Sequence, residues 1–129
     1  MNIPLDKLKL LLQKMPSVKL GYFFGSRAEN SAGPLSDYDF AFYLDEINKE
    51  KRFEIRLTLI RHLTKLFQTD DVDVVILNDA QAPELKYNII KSGILFYEQE
   101  PFKVLIEPRI LNEYFDFHSS LLRHGLTKA

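Results

Sequence analysis

The segment "YFFGSRAENSAGPLSDYDFAFYL" constrains this chain most, because it begins and ends as buried strand and is polar in between. A hairpin needs only a few turn residues, whereas here a glycine, a serine, an arginine and several acids separate two apolar runs. In "DYDFAFYL" the pattern alternates cleanly: Phe40, Phe42 and Leu44 share one side, and Asp37, Asp39, Ala41 and Tyr43 the other. Two carboxylates on one face of a core strand do nothing for packing. Whatever else the chain folds into, it must place these strands so that the acids have a use.

The rest of the chain alternates between helix and strand signals. Leu5, Leu8, Leu11 and Leu12 recur at helical spacing, so residues 4–15 read as an amphipathic helix with Pro4 in its first turn, stopped at Met15-Pro16-Ser17. "VKLGYFF" is a strand ending at Gly25, "SRAEN" fits a short helix whose first turn starts at Ser26, and "SAGPLS" is a loop turning at Gly33-Pro34. From Lys49 to Phe67, the residues Phe53, Leu57, Ile60, Leu63, Leu66 and Phe67 fit an amphipathic helix of about five turns. "VDVVILN" is a strand with Val72, Val74 and Ile76 opposite Asp73, Val75 and Leu77. "PELKYNIIKSG" is a helix opened by Pro83 and stopped by Gly93, and "ILFYE" is a short strand. Residues 109–123 carry Ile110, Leu111, Tyr114, Phe115, His118, Leu121 and Leu122 along one helical face. "FKVLIEP" before them fits strand or helix, because Pro108 would break a continuous helix. The sum is an α/β domain of about four strands with helices between them.

Composition narrows the class of function. At 129 residues the chain is long enough for one domain with a real core and short for two. With 17 basic and 18 acidic residues its net charge is −1, which gives no electrostatic reason to expect a nucleic-acid groove. There are no cysteines, so disulfides and thiolate metal sites are excluded. "MNIPLDKLKLLLQKM" mixes lysines into its leucines and does not look like a signal peptide, and no apolar run approaches the roughly 20 residues a membrane span needs. The expectation is a cytoplasmic protein without membrane attachment.

The chemistry gathers in the polar insert. A strand ending in glycine and followed by a serine offers backbone N–H groups to an anion: Gly25 lets a phosphate come close, Ser26 adds a hydroxyl, and Arg27 adds charge. Alone, a Gly-Ser pair is a common turn. It is neither a Walker loop nor a dinucleotide fingerprint. Asp37 and Asp39 repel one another unless a cation lies between them, and oxygen-only ligation suits Mg²⁺ or Mn²⁺. Taken alone, an Asp-x-Asp pair is more often a solvated strand edge than a metal site. Asp73 shifts the balance, because an acid inside an apolar strand belongs to an edge or a site. Asp71 has the same parity and rivals it, whereas Asp70 and Asp79 read as solvated acids at strand ends.

"GSRAENSAGPLSDYD" resembles the Gly-Ser, ten-residue gap, Asp-x-Asp signature of the DNA polymerase beta-like nucleotidyltransferase superfamily. The short chain and the downstream "VDVVILN" and "ELKYNIIKSGILFYE" are similar to its minimal nucleotidyltransferase (MNT) branch, over roughly residues 17–97. The resemblance implies the polymerase beta-like fold, a small mixed sheet flanked by helices, as one domain over 1–129 with a helical tail at about 109–123. It implies that Gly25 and Ser26, with Arg27, hold the triphosphate of ATP, that Asp37 and Asp39 bind Mg²⁺, and that Asp73 helps activate the attacking hydroxyl. It further implies an antitoxin that transfers AMP to a tyrosine of a cognate HEPN-domain RNase toxin, in a hetero-oligomer. Two other readings stay open: an antitoxin with a vestigial site that neutralises its partner sterically, and a small-molecule nucleotidyltransferase of the aminoglycoside type. The chain departs from many relatives at Glu29, where they have glycine.

Other chemistry-bearing residues read as structural. His62, His118 and His124 lack partners at metal-ligand spacing. Tyr22, Tyr38, Tyr43 and Tyr87 are expected in packing, and Lys86 and Lys91 on a solvated helix face.

Overall fold

A computed structural model describes residues 3–28 and 37–126. The elements run α1 (Leu5–Gln13), β1 (Val18–Phe24), β2 (Tyr38–Leu44), α2 (Lys49–Phe67), β3 (Val72–Ile76), α3 (Pro83–Ser92), β4 (Ile94–Glu98) and α4 (Phe102–Arg123). The four strands form one mixed sheet in the order β3-β2-β1-β4. β1 is antiparallel to both β2 and β4, and β2 is parallel to β3, with α2 as the crossover that a parallel pair requires. The α/β class and the small mixed sheet expected from the sequence are both present.

Strand alternation divides the core into two layers. Phe23, Phe40, Phe42, Leu44, Val74 and Ile76 face α1 and α2, where Leu8, Leu12, Leu59 and Leu63 are fully buried. Leu20, Tyr22, Ala41 and Leu77 face α3 and α4, against Ile89, Ile106 and Ile110. Phe40 centres the first layer, with ring centroids 5.2 Å from Phe23, 5.5 Å from Phe67 and 5.9 Å from Phe96. In the second layer the Tyr22 hydroxyl donates to Glu107 Oε2 at 2.5 Å and ties β1 to α4, so burial and this acceptor push the phenol well above its ordinary pKa.

Three local expectations change. The inner face of α2 is Arg52, Arg56, Leu59 and Leu63, at helical spacing, while Phe53 and Leu57 are exposed. The arginines point inward because the first half of α2 lies along the edge strand β3, which offers acceptors: Arg52 grips Asp79 at 2.7 Å, and Arg56 Nε donates to the Val74 carbonyl at 2.8 Å. Asp79 is thus half-buried in an ion pair that lowers its pKa, not a solvated acid. α4 runs unbroken from Phe102 through Pro108, which settles the ambiguity of "FKVLIEP". Pro108 has no N–H to offer the Val104 carbonyl one turn earlier, and both residues lie exposed on the outer side of α4. Lys86 is buried rather than solvated, and its Nζ donates to both Glu113 carboxylate oxygens at 2.8 Å, joining α3 to α4.

Candidate active site

The site forms where β1 ends and β2 and β3 begin. In register, Phe24 pairs with Asp39 across β1 and β2, and Asp39 pairs with Asp73 across β2 and β3. Neighbouring strands lie about 4.8 Å apart, so the Asp39 and Asp73 side chains rise side by side on the α3/α4 face of the sheet. Asp71 lies before β3, where its carbonyl accepts from the Tyr38 N–H at 2.8 Å. The register therefore selects Asp73 over Asp71 as the neighbour of Asp39.

Gly25 follows directly from β1 with φ +81, a conformation L side chains rarely adopt. A Cβ there would stand 2.2 Å from Asp39 Oδ2. The residue is glycine for two independent reasons, its backbone angle and the carboxylate against it. Residues 26–28 form a turn rather than the start of the helix expected for "SRAEN". Ser26 and Arg27 lie half-buried in it, with the Arg27 guanidinium 4.1 Å from the centroid of the Tyr38 ring. Glu29 and the loop through Ser36 fall outside the described residues.

Asp37 precedes β2 and is exposed. Its charge still reaches the site: burial first, then the neighbouring Asp73 and Asp37 carboxylates, raise the Asp39 pKa above its ordinary value. Asp73 is half exposed, with Arg56 Nη2 at 4.0 Å from Oδ1. In the sequence, "RFEIRLTLIRHLTK" reads as an ordinary helix face whose arginines are free to meet an acidic partner, which does not single out Arg56. The signal was there in its spacing, four residues after Arg52 and three before Leu59.

The donor chemistry fits a small divalent cation. Three carboxylates supply oxygen ligands only, and a bound cation would offset both the burial that chiefly raises the Asp39 pKa and the smaller repulsion from Asp73 and Asp37. Among the described residues, however, no three acidic or histidine side chains are already gathered as a metal cage. The structure brings Gly25, Asp39 and Asp73 together, and leaves Asp37 one step outside.

Two openings flank the acids. A cleft of about 340 Å³ lies between Gly25 and α3, lined by Phe24, Gly25, Leu85, Asn88, Ile89 and Ser92 among others. A second, of about 400 Å³, runs along the free edge of β3 and is lined by residues including Phe53, Arg56, Val75, Ala80 and Leu85. Leu85 belongs to both and forms the wall between them. No helix among the described residues is long and apolar enough to cross a membrane.

The family model described as "Polymerase beta, Nucleotidyltransferase" matches residues 6–102. Among solved structures, a chain of a toxin–antitoxin complex with AMP-PNP is similar at 23% identity and a TM-score of 0.74, covering 94% of both chains. A chain of a toxin–antitoxin MntA complex with two aspartates changed to glutamate has the same TM-score at 22% identity, over 95% of this chain and 94% of that one. A chain of a complex from Shewanella oneidensis, of a tri-AMPylated HEPN toxin with MNT antitoxin, matches at 22% identity and a TM-score of 0.65, over 92% of this chain and 88% of that one. At these identities the likeness is one of fold. No curated protein sequence matches the chain.

Proposed function

We propose that this chain, which belongs to the polymerase beta nucleotidyltransferase family, is an antitoxin that transfers AMP from ATP to a tyrosine hydroxyl of a cognate HEPN toxin. The observation that carries this reading is Asp39, set in register between the Gly25 turn and Asp73. The solved complexes of the same fold, one with AMP-PNP and one with an AMPylated HEPN toxin, support the choice of nucleotide and partner.

In this reading the backbone at Gly25, with Ser26 and Arg27, holds the triphosphate, and Asp37, Asp39 and Asp73 hold Mg²⁺. The cation, when bound, stabilises charge on the attacking and leaving oxygens. The acceptor oxygen attacks the α-phosphorus; an O–P bond forms as the bond to the bridging oxygen breaks, and pyrophosphate leaves with that electron pair. Asp73 takes the hydroxyl proton, because a hydroxyl of high pKa is a poor nucleophile until a base removes it. The partner toxin presents the hydroxyl, a choice supported by the solved complex of the same fold that holds an AMPylated HEPN toxin. The protein works as a single domain in the cytoplasm, in a hetero-oligomer with that toxin.

Incubation with α-labelled ATP, Mg²⁺ and the cognate toxin tests the reading. Label should appear on toxin tyrosine and disappear with Asp37→Ala/Asp39→Ala. Neutralisation that survives the double change intact would instead support steric inhibition, for which the exposed Val104, Leu105 and Phe115 of α4 supply an apolar surface. Labelling of an aminoglycoside in the absence of toxin would point to the small-molecule activity.

A further inference from the structure

The strand order separates the two reactants of the proposed transfer, on which this inference rests. Gly25 lies on the β1 side of Asp39, and Asp73 lies on its β3 side. In-line displacement places the leaving group and the attacking group on opposite sides of the phosphorus. With the phosphates held at the Gly25 turn, the hydroxyl must arrive from the β3 side.

That side is already shaped to receive a chain. The 400 Å³ groove follows the outer edge of β3, which among the described residues pairs with no further strand. Its walls include Phe53 and Leu85, which are 56% and 38% exposed, large apolar side chains left in water. Its charged lining is Lys49, Arg56 and Asp79; Asp79 is held by Arg52 at 2.7 Å, so the lining keeps an excess of positive charge, with Lys49 exposed. Arg56 reaches from the groove to within 4.0 Å of Asp73, so the groove is continuous with the third carboxylate.

We propose that the β3-edge groove is the acceptor-docking site, and that it takes a segment of the partner protein carrying the hydroxyl, with an apolar or aromatic side chain against Phe53 and Leu85 and acidic residues facing Lys49. The 340 Å³ cleft on the other side of Leu85 is left for the nucleotide. Leu85 keeps the two substrates apart.

The test compares wild type with Phe53→Asp and Lys49→Glu, both altered at exposed side chains. Transfer of label from ATP to the cognate toxin is measured as a function of toxin concentration, alongside binding of a fluorescent ATP analogue. The expected result is that KM for the toxin rises about tenfold or more in each variant, the size of effect a central interface contact carries, while nucleotide affinity is unchanged. Phe53→Leu should restore most of the loss. An unchanged toxin KM in both variants, with wild type active, overturns the groove and leaves the proposed transfer standing. A self-association that Phe53→Asp abolishes without altering transfer also overturns it, because a second copy would then be the occupant. Absence of labelling by wild type removes the transfer reading and the groove with it.

Discussion

The backbone of Gly25 lies directly against the carboxylate of Asp39: a Cβ on the glycine would stand 2.2 Å from Oδ2. Gly25→Ala must therefore either push Asp39 out of register with Asp73 or move the turn. It must also hold φ near +81 at a cost of about 1 kcal/mol for a residue with a Cβ. A displacement of about 1 Å at a reacting centre lowers rate by roughly 100-fold. We expect Gly25→Ala to lose transfer activity on that scale and to melt a few degrees lower. Near-normal transfer would show that the turn does not position the phosphates.

Asp39 links the site to stability through pH. Its folded-state pKa is raised, first by burial and then by Asp73 and Asp37, so folding favours the protonated acid. The penalty is complete above the folded-state value. It fades as pH falls through that value towards the ordinary 3.8. Asp39→Asn removes the penalty, so the variant should melt above wild type at pH 7 and the gap should narrow as pH drops towards 4. The same substitution should abolish transfer, as expected where a site is assembled at the expense of stability. Thermal melts of both proteins across this range decide the point; a gap that widens on acidification would contradict the assignment.

Arg56 is fixed to β3 through Nε, which donates to the Val74 carbonyl at 2.8 Å, and this sets its Nη2 4.0 Å from the Asp73 carboxylate. It acts as a positioning residue. Arg56→Gln is expected to lower kcat by about tenfold with ATP affinity unchanged, the scale on which supporting contacts act. Lysine carries the charge but lacks the forked donors, so Arg56→Lys should recover little of the loss. A rise in ATP KM with intact kcat would place Arg56 on the nucleotide instead.

The strand faces were legible because side chains in a strand alternate with a period of two, which puts Asp39 opposite Phe40 and Phe42 on one strand and Asp73 opposite Val72, Val74 and Ile76 on another. Their pairing was not legible, since register between strands separated by a helix depends on the whole sheet. The inner face of α2 was misread for a related reason. Counting apolar residues selected Phe53 and Leu57, but an edge strand presents carbonyls and acids, and these draw Arg52 and Arg56 inward. Lys86 followed the same logic: lysine suggests water until a carboxylate such as Glu113 is packed against it. Polar partners far apart in sequence leave no periodic trace.

Pro108 remains inside α4, where it removes the backbone donor that the Val104 carbonyl would otherwise accept from. Proline in a helix interior costs about 3 kcal/mol relative to alanine, offset by roughly 1 kcal/mol because it also restricts the unfolded chain. Pro108→Ala should therefore stabilise the protein by about 1–2 kcal/mol. The urea midpoint should rise with an unchanged slope, since no additional surface is buried. Transfer activity should be unaffected, because Pro108 faces solvent and belongs to neither opening beside the acids. A lower midpoint would mean that proline sets how α4 lies on the sheet, where Ile106, Ile110 and the bond from Tyr22 to Glu107 dock the helix onto the second core layer.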